Sequence, residues 1–225
     1  MMKAQPIADV RRATVLVADD HSLYRTGLGF LLKDRLGFST VIEAATFDAA
    51  LDRLSDTSGI ELALFDLSMP GVSGPESLNV VRETYAGLRV AIVSGSEERN
   101  DVLRTVATGL SGYIPKSLPD EEIVGALEDI MDGRIYVPRF MTVSAGPLGG
   151  PSAPNLDRPE AKGLNGNVKP ISPRQRDVLE CVRRGLSNKE IARELDIAEG
   201  TVKIHLAALF SYFGARNRTE LATKC

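Results

Sequence analysis

Short apolar runs alternate with longer stretches of helical spacing through the first 137 residues. The runs are VLVA (15–18), TVIEAA (40–45), LALF (62–65), VAIV (90–93) and GYIP (112–115). Continuous apolar strands of this length bury both faces, which is typical of a parallel sheet covered by helices. Five strand–helix units in a row predict a doubly wound α/β domain of the flavodoxin-like (βα)5 class.

The last 55 residues predict a separate, small all-α domain of four short helices. Capping boxes are formed by Ser172 with Gln175 and by Ser187 with Glu190, and each box is a signal for the start of a helix. A third helix follows a short turn at 196–198, and a fourth closes the chain. A helix, a tight turn and a second helix with a buried stripe are the helix-turn-helix arrangement.

Composition divides the chain into a flexible N-terminus, the α/β domain, a flexible linker and the helical domain. These segments are 1–12, 13–137, 138–169 and 170–225. Residues 146–170 hold five glycines and five prolines, so this segment buries too little surface to offset its ordering entropy. Residues 1–137 carry 13 Lys and Arg against 21 Asp and Glu, whereas residues 171–225 carry 10 against 7. This asymmetry indicates two domains with different partners.

The remaining composition excludes several classes of protein. Two cysteines, Cys181 and Cys225, cannot form a disulfide scaffold or a four-cysteine zinc site, and two histidines exclude a histidine-rich metal centre. Apolar runs stay well below 18 residues, and the N-terminus lacks a hydrophobic signal core. We therefore expect a soluble, cytoplasmic protein without a membrane partner.

Polar side chains follow four of the predicted strands at the point where each strand ends. They are Asp19, Asp20, Asp66, Ser94 and Lys116. Because ligands bind outside the carboxyl ends of the strands in open α/β sheets, we expect these side chains to converge on one pocket. Three carboxylates beside a lysine favour Mg²⁺, and an aspartate held there can act as nucleophile toward a phosphoryl group. A single acidic pair after a strand is usually a solvated turn, so the prediction depends on the convergence.

These residues resemble those of a known family. Asp19-Asp20, the segment DLSMPGVSG (66–74), Ser94-Gly95 and the segment GYIPK (112–116) are similar to the receiver domain of bacterial two-component response regulators. The segment 172–210 resembles the LuxR-type DNA-binding domain. The combination resembles a response regulator of the NarL/FixJ type.

The resemblance implies roles for the residues of the acidic pocket. Asp66 would accept a phosphoryl group from a histidine kinase, and Lys116 would pair with that group. Ser94 and Tyr113 would form the conformational switch, with Tyr113 turning inward on phosphorylation. The implied Mg²⁺ ligands are Asp19, Asp20, Asp66 and the backbone carbonyl of Ser68. No cofactor besides Mg²⁺ is expected.

The third helix of the helical domain is the predicted DNA-reading helix. Its inward stripe comprises Val202, Leu206, Leu209 and Phe213, so the opposite face would present Lys203, Ile204, Ala207, Ala208 and Ser211. The candidate DNA contacts are Lys189, Thr201, Lys203, Ile204 and Ala207. With one positive charge on its face, this helix has little electrostatic attraction for phosphates, so we expect a phosphorylated homodimer on paired half-sites of promoter DNA.

Three function classes remain at this point. The first is a phosphorylation-switched transcriptional regulator that is not an enzyme beyond the phosphoryl chemistry at Asp66. The second is an aspartyl-phosphate enzyme such as a hydrolase, which requires a second acid where this chain has Ser68. The third is a receiver-controlled regulator whose C-terminal domain acts through protein contacts rather than DNA. Regulation by dimerisation and regulation by release of domain occlusion both stay open.

Overall fold

The computed structural model describes residues 13–141 and 171–224, and these ranges contain five strands and nine α-helices. The strands are β1 (Thr14–Ala18), β2 (Thr40–Ala44), β3 (Ile60–Asp66), β4 (Arg89–Ser94) and β5 (Gly112–Pro115). The first five helices are α1 (Ser22–Asp34), α2 (Phe47–Asp56), α3 (Pro75–Thr84), α4 (Arg99–Ala107) and α5 (Asp120–Met131). The other four are α6 (Pro173–Arg183), α7 (Asn188–Leu195), α8 (Glu199–Phe213) and α9 (Arg218–Lys224). The predicted flexible N-terminus, and the predicted linker from residue 142 onward, lie outside the described residues.

The five strands form one parallel sheet in the order β2-β1-β3-β4-β5, which confirms the flavodoxin-like prediction. The register pairs Asp66 with Val93 and Ser94 with Pro115, so the strands end close to one another along the same edge. This alignment is what brings the residues that follow β1, β3, β4 and β5 to a common edge of the sheet.

Each face of the sheet has its own apolar core, as buried strands of a parallel sheet require. Helices α2, α3 and α4 cover one face, where Phe47, Phe65 and Ile92 are buried. Helices α1 and α5 cover the other face. Phe140 and Met141, in a 3-10 turn at Arg139–Met141, pack against the first core, so the α/β domain continues a few residues beyond Val137.

The helical domain is built around a separate apolar cluster. Its buried members are Val178, Leu179, Cys181, Val182, Ile191, Val202, Leu206, Leu209, Ala215 and Leu221. Both predicted capping boxes are present: Ser172 Oγ accepts from Gln175 N at 3.1 Å, and Ser187 Oγ accepts from Glu190 N at 3.3 Å. A core of its own, together with capped helices, makes this domain an independent folding unit.

Helix α8 packs against the α/β domain as well as against its own domain. Ile204 is completely buried and belongs to the same apolar cluster as the residues under α2 and α3. The Oγ1 atom of Thr201 lies 3.2 Å from Ser55 Oγ at the end of α2. A Cβ atom at Gly200 would lie 2.8 Å from Thr84 Cγ2, so glycine permits the close approach of α8 to α3.

The start of α6 adds polar contacts beside this apolar patch. Ser172 Oγ donates to Asp48 Oδ1 at 2.8 Å, and the backbone amide of Arg174 donates to Asp48 Oδ2 at 3.3 Å. Gln175 Nε2 donates to the backbone carbonyl of Gly71 at 2.6 Å. The capping box at the start of α6 therefore serves a second purpose, because the same side chains bind the α/β domain.

The two capping serines provide a matched test of this double role. Ser187→Ala should cost about 1 kcal/mol in the free energy of unfolding, because it removes only the cap. Ser172→Ala should cost more in the full chain, because it also removes the hydrogen bond to Asp48. Urea denaturation of the full chain and of residues 171–225 measures both costs. If the two substitutions lower the free energy of unfolding of the full chain equally, the contact between the domains does not contribute to its stability.

Candidate functional site

The carboxyl edge of the sheet holds an acidic pocket. Asp19 follows β1 and Asp66 ends β3, and both side chains are buried. Lys116 follows β5, and its Nζ lies 2.6 Å from Asp19 Oδ2 and 3.2 Å from Asp66 Oδ2. Asp20 is more exposed, and its ligand atom lies within 4.8 Å of those of Asp19 and Asp66. The predicted convergence of residues from separate strands is thus present in the structure.

His21 also belongs to this pocket, although the sequence analysis did not select it. Its backbone amide donates to Asp19 Oδ1 at 2.8 Å, and its ring Nδ1 lies 2.8 Å from Asp20 Oδ1. The available signal was its position directly after the two aspartates. His21 thus contacts both aspartates, since its ring also lies 3.2 Å from Asp19 Oδ1.

The Asp66 carboxyl is in an electrostatically unusual environment. Burial raises the pKa of Asp66 above its ordinary value, and a hydrogen bond from the backbone amide of Ser68 and the charge of Lys116 oppose this rise. The neighbouring carboxylate of Asp19 raises the pKa further. Lys116 also lies over the ring of Tyr24, with Nζ 4.8 Å from the centroid. A buried carboxylate whose charge is only partly balanced is suited to bind a cation or to act as a nucleophile.

The donor set of this pocket fits a hard divalent cation. Asp19, Asp20 and Asp66 bring carboxylate oxygens close together, and Mg²⁺ prefers oxygen ligands completed by water. The backbone amide of Ser68 donates to Asp66 Oδ1 at 3.0 Å, and the role of its carbonyl as a ligand stays a prediction.

Ser94 and Tyr113 stand beside the pocket, on β4 and β5. Ser94 is fully buried, and its Oγ accepts a hydrogen bond from Ser96 N at 3.1 Å. Tyr113 is also fully buried, and its hydroxyl donates to Ser96 O at 2.7 Å. The ring of Tyr113 lies inside the domain in this structure, and its inward turn on phosphorylation stays a prediction. Ser96 joins the two side chains, so the β4–α4 loop is the element that would transmit a change at Ser94.

Most of the predicted DNA contacts on α8 do not form an exposed face. Lys203 and Ser211 are exposed and Ala207 is half-buried, but Thr201, Ile204 and Ala208 are buried. The prediction of an outward face that includes Ile204 and Ala208 is therefore wrong for this structure, because α2 and α3 of the α/β domain cover it. Lys189, on α7, is exposed.

The loop that follows Asp66 contacts the helical domain directly. Gly71 is five residues after Asp66, and its carbonyl accepts the hydrogen bond from Gln175. Gly71 has a φ of +92°, and a Cβ there would meet Phe47 and Ser172 at 3.2 and 3.3 Å, so both its backbone conformation and its packing require glycine. The local sequence around Gln175 indicates only its capping role, and nothing in it marks the second partner at Gly71.

Comparison with known proteins divides the chain in the same way. Residues 15–128 match the family of response regulator receiver domains, and residues 169–225 match the luxR family of bacterial regulatory proteins. The chain is 33% identical to the glycerol metabolism activator of Pseudomonas putida, over 92% of this chain and 91% of that protein. It is 32% identical to the nitrate/nitrite response regulator protein NarL of Escherichia coli, over 93% of each chain.

Two solved structures are also similar. A LuxR-family response regulator from Aurantimonas sp. is 29% identical, with a TM-score of 0.53 over 58% of this chain and 93% of that one. RcsB from Salmonella enterica serovar Typhimurium, bound to promoter rprA with the phosphomimetic BeF3-, shares the fold at 18% identity. Its TM-score is 0.53 over 94% of this chain and 97% of that one. In residues 13–141 and 171–224, no helix is long and apolar enough to cross a membrane.

The raised pKa of Asp66 has a consequence for stability. A carboxyl whose pKa is higher in the folded state than its ordinary 3.8 destabilises the fold once the pH exceeds that value. At pH 7, Asp66→Asn should therefore raise the melting temperature by roughly 2–4 °C, the shift for about 1 kcal/mol. The gain should shrink at pH 3, where the wild-type carboxyl is largely protonated.

The control for this prediction is Asp52→Asn, which removes an exposed carboxylate on α2 and should leave the melting temperature nearly unchanged. Added Mg²⁺ should stabilise the wild type more than Asp66→Asn, because ligand binding to the folded state raises its stability. Thermal denaturation followed by circular dichroism measures these effects. Destabilisation by Asp66→Asn at pH 7 would contradict the electrostatic description of the pocket.

Proposed function

Because the chain belongs to the bacterial response regulators that join a receiver domain to a LuxR-type DNA-binding domain, we propose that Asp66 is its phosphoryl acceptor. Members of this family are transcription regulators rather than enzymes, and this chain is a phosphorylation-switched, DNA-binding regulator. The proposed receiver domain, predicted as residues 13–137, extends to Met141, and the proposed DNA-binding domain comprises residues 170–225. The observation that carries the proposal is the convergence on one pocket of the buried Asp19 and Asp66 with Lys116, whose Nζ lies 2.6 Å from Asp19 Oδ2 and 3.2 Å from Asp66 Oδ2.

The proposed chemistry is confined to one phosphoryl transfer. An oxygen of Asp66 attacks the phosphorus of a phosphohistidine on the partner kinase, forming a P–O bond as the P–N bond breaks. The released imidazole nitrogen takes up a proton. Lys116 is close enough to both buried carboxylates to bind a phosphoryl oxygen, and the hydroxyl of Ser94 supplies a further donor. Hydrolysis of the acyl phosphate later returns the carboxylate.

Mg²⁺ is the proposed cofactor of this step. Asp19, Asp20 and Asp66, with the backbone carbonyl of Ser68, would hold the ion, and its charge would neutralise the phosphoryl oxygens. The charge of the ion also offsets the repulsion among the three carboxylates. His21 keeps the carboxylates of Asp19 and Asp20 oriented for the ion through its amide and its ring.

Phosphorylation is proposed to act by releasing α8. We call the arrangement of this structure, in which α8 packs against the receiver, the closed arrangement. In it Thr201 and Ile204 face the receiver and cannot enter a DNA groove, whereas Lys189 and Lys203 are exposed. Ser94 senses the phosphoryl group, and the β4–α4 loop with Tyr113 and the Asp66 loop with Gly71 carry the change to the interface. A switch of this kind requires that the phosphoryl group favours the open state energetically.

Once released, the helix is proposed to read double-stranded promoter DNA in the major groove. Lys189, Thr201, Lys203, Ile204 and Ala207 are the proposed contacts. The small apolar side chains suit thymine methyl groups, and the sparse positive charge is why two copies on paired half-sites are needed. The proposed partners, a kinase and promoter DNA, make the cytoplasm the proposed place of action.

The test compares DNA affinity in four proteins. Residues 171–225 first select their preferred duplex from a random pool, and fluorescence anisotropy then measures its affinity for each protein. We expect the unphosphorylated full chain to bind roughly tenfold or more weakly than the fragment, because most molecules are closed. Phosphorylation of the full chain by acetyl phosphate with Mg²⁺ should remove most of the difference.

Asp66→Asn and Lys203→Ala are the controls for this comparison. Asp66→Asn should gain no phosphate by intact mass spectrometry and should stay weakly bound. Lys203→Ala should weaken binding in the open protein without changing phosphate uptake, because it removes a DNA contact only. Equal affinity of the fragment and the unphosphorylated full chain would contradict occlusion, and phosphate on Asp66→Asn would contradict the acceptor.

A further inference from the structure

A buried histidine lies in the contact between the two domains and has no part in the proposed phosphoryl chemistry. His205 is on α8 and is only 1% exposed. Its ring meets that of Phe47 on α2 edge-to-face, with centroids 6.4 Å apart. Burial of this imidazole therefore depends on α8 staying against the receiver.

The ring nitrogen Nδ1 of His205 has no hydrogen-bonding partner within the described residues. Asp48 Oδ1 is 3.9 Å away, which is too far for a hydrogen bond. Both oxygens of Asp48 are already used, since Ser172 Oγ donates to one and the amide of Arg174 to the other. A second proton on the ring, at Nδ1, would charge the imidazole where no acceptor is available among the described residues, and such a charge is costly to bury.

Two charged side chains face this ring among the described residues, Asp48 from α2 and Arg174 from the start of α6. Burial, and then the positive charge of Arg174, lower the pKa of His205 from 6.5 to about 4. When α8 leaves the receiver the ring meets water, and its pKa returns toward 6.5. The proton therefore binds the open arrangement much better than the closed one.

We propose that His205 makes the closed arrangement of the two domains proton-sensitive, so that acidification releases α8 without phosphorylation. The inference rests on the closed arrangement in the proposed function and adds a second input to it. The proton acts at the interface itself, whereas the phosphoryl group acts from the acidic pocket.

The sign and size of the effect follow from linkage. A histidine with a lower pKa in the closed state stabilises that state above pH 6.5, and the stabilisation is lost as the pH falls toward 4. The opening equilibrium should rise about fourfold between pH 7.5 and 6, and about tenfold by pH 5.5. Burial raises the pKa of Asp48, helped by the charge of Asp177, and this acts in the opposite direction. This opposing effect begins as the pH falls through the raised pKa of Asp48 and is complete below the ordinary value of 3.8.

A thiol at a buried interface position measures the opening. Thr201 is 2% exposed, so Thr201→Cys in a Cys225→Ser background should react with iodoacetamide only when α8 is released. The labelling rate is divided by that of the same protein unfolded in urea at each pH, which removes the titration of the thiol itself. We expect this ratio to rise about tenfold from pH 7.5 to 5.5. Adding His205→Gln should abolish this rise.

The other outcomes of these experiments contradict either the role of His205 or the closed arrangement. An unchanged ratio in the wild-type background, or the same rise with His205→Gln, overturns the role of His205. A second measurement, NMR of the full chain, does not need the variant. The ring resonances of His205 should not titrate near pH 6.5. A titration midpoint at that pH also overturns the role of His205. Labelling of Thr201→Cys at the unfolded rate already at pH 7.5 is different, because it removes the closed arrangement and with it the proposed function.

Discussion

Helix α8 is buried on two sides at once, and the proposed regulation of this protein depends on that fact. One side packs into the core of its own domain through Val202, Leu206 and Leu209, and the other places Ile204 in the core of the receiver. Burial of one such side chain contributes about 1.5–3 kcal/mol. If the proposed DNA contacts of α8 are correct, closure of the domains and DNA binding exclude each other, because the same residues cannot contact the receiver and a DNA groove together.

The strength of the contact is suited to a switch. Moving a two-state equilibrium from almost closed to almost open requires about 5.5 kcal/mol. The hydrogen bonds of Ser172 and Gln175 are each worth about 1 kcal/mol. Together with the burial of Ile204, they contribute a free energy of comparable size. In the proposed function, a phosphoryl group on Asp66 acts on the loop that ends at Gly71 and so weakens part of this contact. His205 makes the same contact less stable, because its Nδ1 atom has no hydrogen-bonding partner among the described residues.

Local sequence patterns predicted those features that depend on neighbouring residues. The strands, the capping boxes and the acidic pocket all follow from short apolar runs, from pairs three residues apart and from polar residues at strand ends. The pairing of Gln175 with Gly71 joins positions 104 residues apart, and nothing near either residue marks it. The face of α8 was predicted wrongly because only one stripe was counted as buried. Ile204 and Ala208 make the helix apolar on a second side, and a helix that is apolar around its circumference is a buried helix.

A reversible lock between the two domains tests the central claim most directly. A Cβ at position 200 would lie 2.8 Å from Thr84 Cγ2, so Thr84→Cys with Gly200→Cys can form a disulfide in the closed arrangement. In a Cys225→Ser background, DNA affinity is measured for the phosphorylated protein before and after reduction. We expect the oxidised protein to carry phosphate at Asp66 and yet not bind DNA, and reduction to restore binding. Tight DNA binding by the oxidised, locked protein would contradict the account.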